Sequence, residues 1–193
     1  MAISLKQIDN NLTGLWAIFL RKQNALNYFT IDSKNFIWSF SAIILIIIFQ
    51  LYQIPIENEF FKDVQQGDNV NTISATFQMF IILFAWLSWP LMAYVICRLM
   101  GLSHNYVRYV TIDNWSSIVS VTIVTLPIIM FQFGLAQGAT ATLLFLTTFI
   151  MISYKWKVAQ VSLATTGANA AIITFIDVAF TIALSLMLKN IFA

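Results

Sequence analysis

One acid stands where acids are costly. Asp177 sits in the run AIITFIDVAFTIAL, and no other charge occurs between Lys157 and Lys189. A carboxylate at the centre of a membrane helix costs about 2.5–3.5 kcal/mol on insertion scales, so it is expected to face a bundle and not lipid. At helical spacing Ala170, Thr174, Thr181 and Ser185 fall on or near its side. That gives a small, polar stripe of the kind that marks helix contact. Two kinds of chemistry fit such an acid: a proton or ion relay, or contact with a polar substrate. A structural use fits as well, with the acid held by a hydroxyl or a base from another span. By residue type the available partners are Ser117 and Ser120, Thr147 and Thr148, or Lys155.

A second polar set lies in RLMGLSHNYVRYVTIDNW, which carries Arg98, His104, Arg108 and Asp113. It reads as a short connector between two spans, with His104 in solvent. Asp113 opens the next span, because acids favour a helix N-terminus. Trp86 and Trp89 stand beside Pro90, where they either pack at a kink or line a pocket. Cys97 and His104 are single, so no disulfide within the chain and no ordinary zinc site can be assembled. There is no Gly-x-Ser-x-Gly elbow, no His-Glu-x-x-His pair and no glycine-rich phosphate loop. The expectation is a protein without cofactor, metal or catalytic centre.

The elements that must hold these residues are apolar helices. Of 193 residues, 60% are hydrophobic and 9% charged, and the mean hydropathy is +0.82. Soluble domains carry about 25% charged residues, so the composition is that of a membrane protein. Between Asp113 and Lys155 there is no Asp, Glu, Lys or Arg. That stretch is too long for one crossing of a hydrocarbon core of about 30 Å and suits two. Its break is QFGLAQG, with Gly134 and Gly138 bracketing the turn. Five spans are predicted, at about 35–56, 76–100, 114–133, 138–156 and 169–188, so the chain divides into 1–33 and a membrane domain, 34–193. Asp32 and Ser33 are placed to cap the first span and Pro55 to end it. A polar loop then follows over 57–71, with a turn at Gly67. Pro90 and Pro127 are expected to kink the second and third spans, with Ser88 serving the carbonyl that Pro90 leaves unpaired at Trp86. Gly101 fits the position just past a helix end.

Ahead of the spans, SLKQIDNNLTGLWAIFLRK places Leu5, Ile8, Leu12, Leu15, Trp16 and Phe19 at three- and four-residue intervals. This is an amphipathic helix that lies in the membrane interface or packs on the cytoplasmic end of the bundle. Sorting the basic residues by side puts Lys6, Arg21, Lys22, Lys34, Arg98, Arg108, Lys155 and Lys157 together and leaves Lys62 and Lys189 opposite. The asymmetry predicts a cytoplasmic N-terminus and an outer C-terminus. The partners expected are the lipid bilayer and either other membrane proteins or further copies of the chain. The scattered basic residues form no stripe for nucleic acid.

Five spans with a cytoplasmic N-terminus and a kinked second helix resemble the Yip family of five-span membrane proteins, whose eukaryotic members interact with Rab GTPases. Two stretches carry the resemblance: RLMGLSHNYVRYVTIDNW entering the third span, and YKWKVAQVSLATTGANAAIITF joining the last two. The chain lacks the long polar cytoplasmic region of eukaryotic members and their Asp-Leu-Tyr-Gly-Pro-like motif; its nearest stretch is NYFTIDSKNF. The resemblance implies the architecture, a bacterial inner (cytoplasmic) membrane and a non-enzymatic role in organising or assembling membrane complexes. The alternative expectation is a small transporter or channel subunit that uses Asp177.

Overall fold

The computed structural model describes residues 5–65 and 74–192, and every regular element among them is helical. The helices are α1 (Leu5–Phe19), α2 (Ser33–Ser39), α3 (Ala42–Gln65), α4 (Ala75–Leu99), α5 (Tyr106–Gln132), α6 (Gln137–Leu163) and α7 (Gly167–Phe192). Short 3-10 turns fill Ala25–Tyr28 and Ser103–Asn105. Five helical stretches are long and apolar enough to cross a membrane, the first of them formed by α2 and α3 together.

Helix α5 is central and touches α1, α2, α3, α4 and α6. Polar side chains tie it to the first span. Thr125 Oγ1 donates to Gln53 Oε1 at 2.6 Å, and Asn114 Nδ2 donates to Ser39 Oγ at 2.9 Å, both pairs being buried. In a bilayer such bonds between helices supply order that apolar packing alone does not.

Asp32 caps α2 as expected, accepting from the Asn35 backbone N–H at 2.7 Å. The first span is nevertheless interrupted, and it does not end at Pro55. Around Ser39–Phe40–Ser41 the backbone tightens to bonds of three residues' span, and both serine hydroxyls bond back to carbonyls at 2.7 Å. Hydroxyls that compete for helix carbonyls loosen a helix locally. Pro55 removes one donor, while the residues beyond it include good helix formers and Ile54, Ile56 and Phe60 are buried. Phe60 packs edge-on against Phe131. Tertiary contact therefore carries α3 to Gln65, across residues predicted to be loop. The expected turn at Gly67 lies outside the described residues.

Helix α4 runs through Pro90 and α5 through Pro127. Ser88 does not serve Trp86: its hydroxyl turns to the Phe84 carbonyl at 2.6 Å. The third span begins at Tyr106, because nothing in YVRYVTI interrupts a helix. Asp113 therefore lies inside α5 and not at its start. The α5–α6 turn is short, and Gly138 belongs to α6. The fourth span continues to Leu163, so 158–163 is helix and not connector.

Four helix ends share one solution. At Lys22, Leu102, Leu135 and Thr165 a backbone N–H reaches back five residues, to Ala17, Cys97, Met130 and Gln160. The residue before each has positive φ: Arg21, Gly101, Gly134 and Ala164. Glycine suits this left-handed position because it has no Cβ to clash. Gly101 fills it as predicted, and Gly134 fills it in the hairpin. Arg21 and Ala164 occupy it at a steric cost.

The predicted apolar face of α1 splits in two. Leu15 and Ile18 are buried against the bundle, with Ile8 and Phe19 packed beside them. Leu12, Trp16 and Leu20 point outward, at 43%, 57% and 47% exposure.

Candidate functional site: a charge cluster at the end of a cavity

Helices α5 and α6 are antiparallel and joined by a tight turn, so residues equally far from the turn share a level. Asp113 precedes Phe133 by 20 residues and Lys155 follows Ala136 by 19. The same holds across the next turn, where Lys155 precedes Leu163 by 8 residues and Asp177 follows Gly167 by 10. Three antiparallel helices thus bring one charge each, Asp113, Lys155 and Asp177, to one level. At 1.5 Å per residue that level is about 10–15 Å from the connectors at this end of the bundle.

The contacts follow. Lys155 Nζ lies 2.9 Å from Asp113 Oδ1 and 3.4 Å from Asp177 Oδ2. The side chains of Asp113, Asp177 and Lys155 are 5%, 13% and 17% exposed. With all three ionised the formal charge is −1 (two carboxylates, one ammonium). The first contact is a charge-assisted hydrogen bond of ordinary length. Ser116 and Ser117 donate to the backbone carbonyl of Asp113, at 2.8 and 3.1 Å, and not to its carboxylate.

Beside the cluster is a cavity of about 470 Å³ between α4, α5, α6 and α7. Asp113, Lys155 and Asp177 contribute to its wall, and Trp86, Trp89 and Met151 supply much of the apolar lining. Ser117, Thr148, Thr181 and Ser185 add hydroxyls. Small-molecule sites have this character: a concave apolar volume with a few convergent polar groups. Among the described residues no three side chains of the metal-binding types converge.

The sequence-predicted residues separate clearly. Asp177, Thr181 and Ser117 meet at the cavity. Thr174 and Ser120 are buried, and neither is in the cavity wall; the Ser120 hydroxyl bonds back to the Ser116 carbonyl. Arg98 and His104 are exposed near the α4–α5 connection, away from the cluster. Arg108 donates through Nε to the Ser162 carbonyl, and Asn105 donates to the Leu163 carbonyl at 2.7 Å. These two groups satisfy carbonyls that the end of α6 leaves free. Asp113 is not a helix cap: it lies inside α5 and pairs with Lys155, buried within the bundle. Trp86 and Trp89 line the cavity, and their rings meet Phe40 and Phe180 respectively. The expected partner of Asp177 is met by Lys155; Thr147 and Thr148 bond to carbonyls of their own helix instead.

Comparison of the chain with protein-family models, with curated proteins and with solved structures gives no match.

Proposed function

We propose that this chain is a small membrane transporter or carrier of an amphipathic, cationic molecule, held in the cavity with its charge at the Asp113–Lys155–Asp177 cluster. The observation that carries the reading is the junction of two carboxylates and one ammonium with a largely apolar cavity. A protonated amine would find two carboxylates at one end, and the faces of Trp86 and Trp89 favour a nearby cation as well. Buried charged groups within spans are expensive and commonly mark ion or substrate paths.

The membrane-organising role implied by the Yip resemblance has no need of a cavity with a charged end, so the transporter reading stands first. The two differ in a head-group series on one tail. Octylamine should raise the melting temperature of the detergent-purified protein, and octanoate and octanol at equal concentration should raise it less. Asp177→Asn should remove the difference. Equal shifts for all three compounds would overturn the reading.

The proposal places the N-terminus and the α4–α5 and α6–α7 connections in the cytoplasm, in a bacterial inner membrane. Support comes from Lys6, Arg21, Lys22, Lys34, Arg98, Arg108 and Lys157 at one end. Lys155 leaves this count because carboxylates neutralise it inside the bundle. The outward Leu12–Trp16–Leu20 stripe supports an α1 that lies along the membrane interface. In a Cys97→Ala background, a Ser103→Cys thiol should react with an impermeant reagent from the cytoplasmic side alone. Labelling from the outside would invert the topology.

A further inference from the structure

A second concave site lies on the other side of α6, against α1, with a volume of about 320 Å³. Its apolar lining comes from Ile18, Phe19, Phe149 and Ile150, and its polar side carries Arg21, Lys157 and Ser153. Phe149 and Ile150 are exposed, on a helix surface that faces lipid in a five-span bundle. The two cations have no carboxylate partner among the described residues. Arg21 donates to Ser153 Oγ at 2.8 Å and lies over the Trp156 ring, 5.4 Å from its centroid. Lys157 donates to Gln160 Oε1 at 2.8 Å. Tyr154 lines the same groove, and its buried hydroxyl has no hydrogen-bond partner among the described residues.

Arg21 is also placed where a side chain is disfavoured. It takes φ 57° at the end of α1, the left-handed position that Gly101, Gly134 and Ala164 fill elsewhere. A glycine there would relieve the backbone and lose the guanidinium. Strained non-glycine backbone recurs where a side chain is needed for function.

We infer that this groove binds an anionic phospholipid, its phosphate between Arg21 and Lys157 and an acyl chain along Phe149 and Ile150. Basic pockets on the cytoplasmic side of membrane helices recognise such head groups. Arginine suits phosphate because its planar fork donates two parallel hydrogen bonds. The site is separate from the charge cluster, so the inference stands or falls independently of the transport reading.

The test is native mass spectrometry of the whole detergent-purified chain with dioleoyl phosphatidylglycerol, dioleoyl phosphatidylcholine or sodium phosphate. Phosphatidylglycerol should be retained in preference to phosphatidylcholine. Arg21→Gly should fold at least as well as the parent, since it relieves the positive φ. It should nevertheless bind phosphatidylglycerol about fivefold more weakly, and Lys157→Gln similarly. Lys22→Gln removes a neighbouring cation that does not line the groove and should leave retention unchanged. Equal retention of the two lipids overturns the inference. So does a loss with Lys22→Gln as large as with Arg21→Gly, which would mean general surface charge. Phosphate alone competing at the lipid's concentration would make this a site for a soluble anion and overturn the lipid assignment.

Discussion

At the scale of single residues, Lys155 holds the cluster together. Among the described residues it is the one cation in contact with Asp113 and Asp177, which are almost wholly removed from solvent. Removing it leaves Asp113 and Asp177 buried, close and without a base. Breaking a buried pair in this way costs about 3–5 kcal/mol, far more than the pair itself contributes. Lys155→Met should therefore lower thermal stability in detergent sharply. Asp177→Asn should cost less, because the amide oxygen still accepts from the ammonium. The triple variant Asp113→Asn, Lys155→Met, Asp177→Asn should recover most of the loss, since no charge is then stranded. A Lys155→Met protein as stable as the parent would mean that the three groups are not coupled. Asp177 stood out in the sequence because a lone acid in an apolar run has few inexpensive explanations. Lys155 was one of several possible partners for Asp177, and Asp113 was only the start of a span, because each sits beside residues that resemble the end of a span.

At the scale of elements, the existence of the helices was legible and their ends were not. Composition alone requires long apolar helices, and QFGLAQG marks the hairpin between two of them. Boundaries failed where polar residues lie inside a helix. Asp113 was expected to start a span, yet α5 begins seven residues earlier. The fourth span was expected to end at about 156, yet α6 runs on to Leu163. Pro55 was expected to stop a helix that burial of Ile56 and Phe60 carries forward. For α3 and α6 burial overrides a local signal, whereas α5 starts early because nothing in YVRYVTI interrupts a helix. The interruption at Ser39–Phe40–Ser41 has a sequence cause, two serines that compete for carbonyls, and Asn114 meets Ser39 there from α5. The register of the hairpin would have revealed the cluster. Counting outward from the 133–136 turn sets Asp113 opposite Lys155, and counting from 164–166 sets Lys155 beside Asp177.

At the scale of the whole molecule, the five spans do more than bury apolar faces. Four of them line a partly open cavity in which apolar side chains and several hydroxyls lead to three charges, and the proposed function requires that cavity to be reachable and negative in sign. Ser117, half-buried in its wall, is a suitable reporter. In a Cys97→Ala background, Ser117→Cys would be reacted with aminoethyl and sulfonatoethyl methanethiosulfonate, a cation and an anion of similar size. Each rate is divided by that of the same reagent with a free thiol in solution. The cation should react faster by about fivefold or more, as one net negative charge nearby requires at an effective dielectric of ~20. Adding Asp177→Asn should remove the preference. Equal normalised rates, or a thiol that neither reagent reaches, would contradict the account.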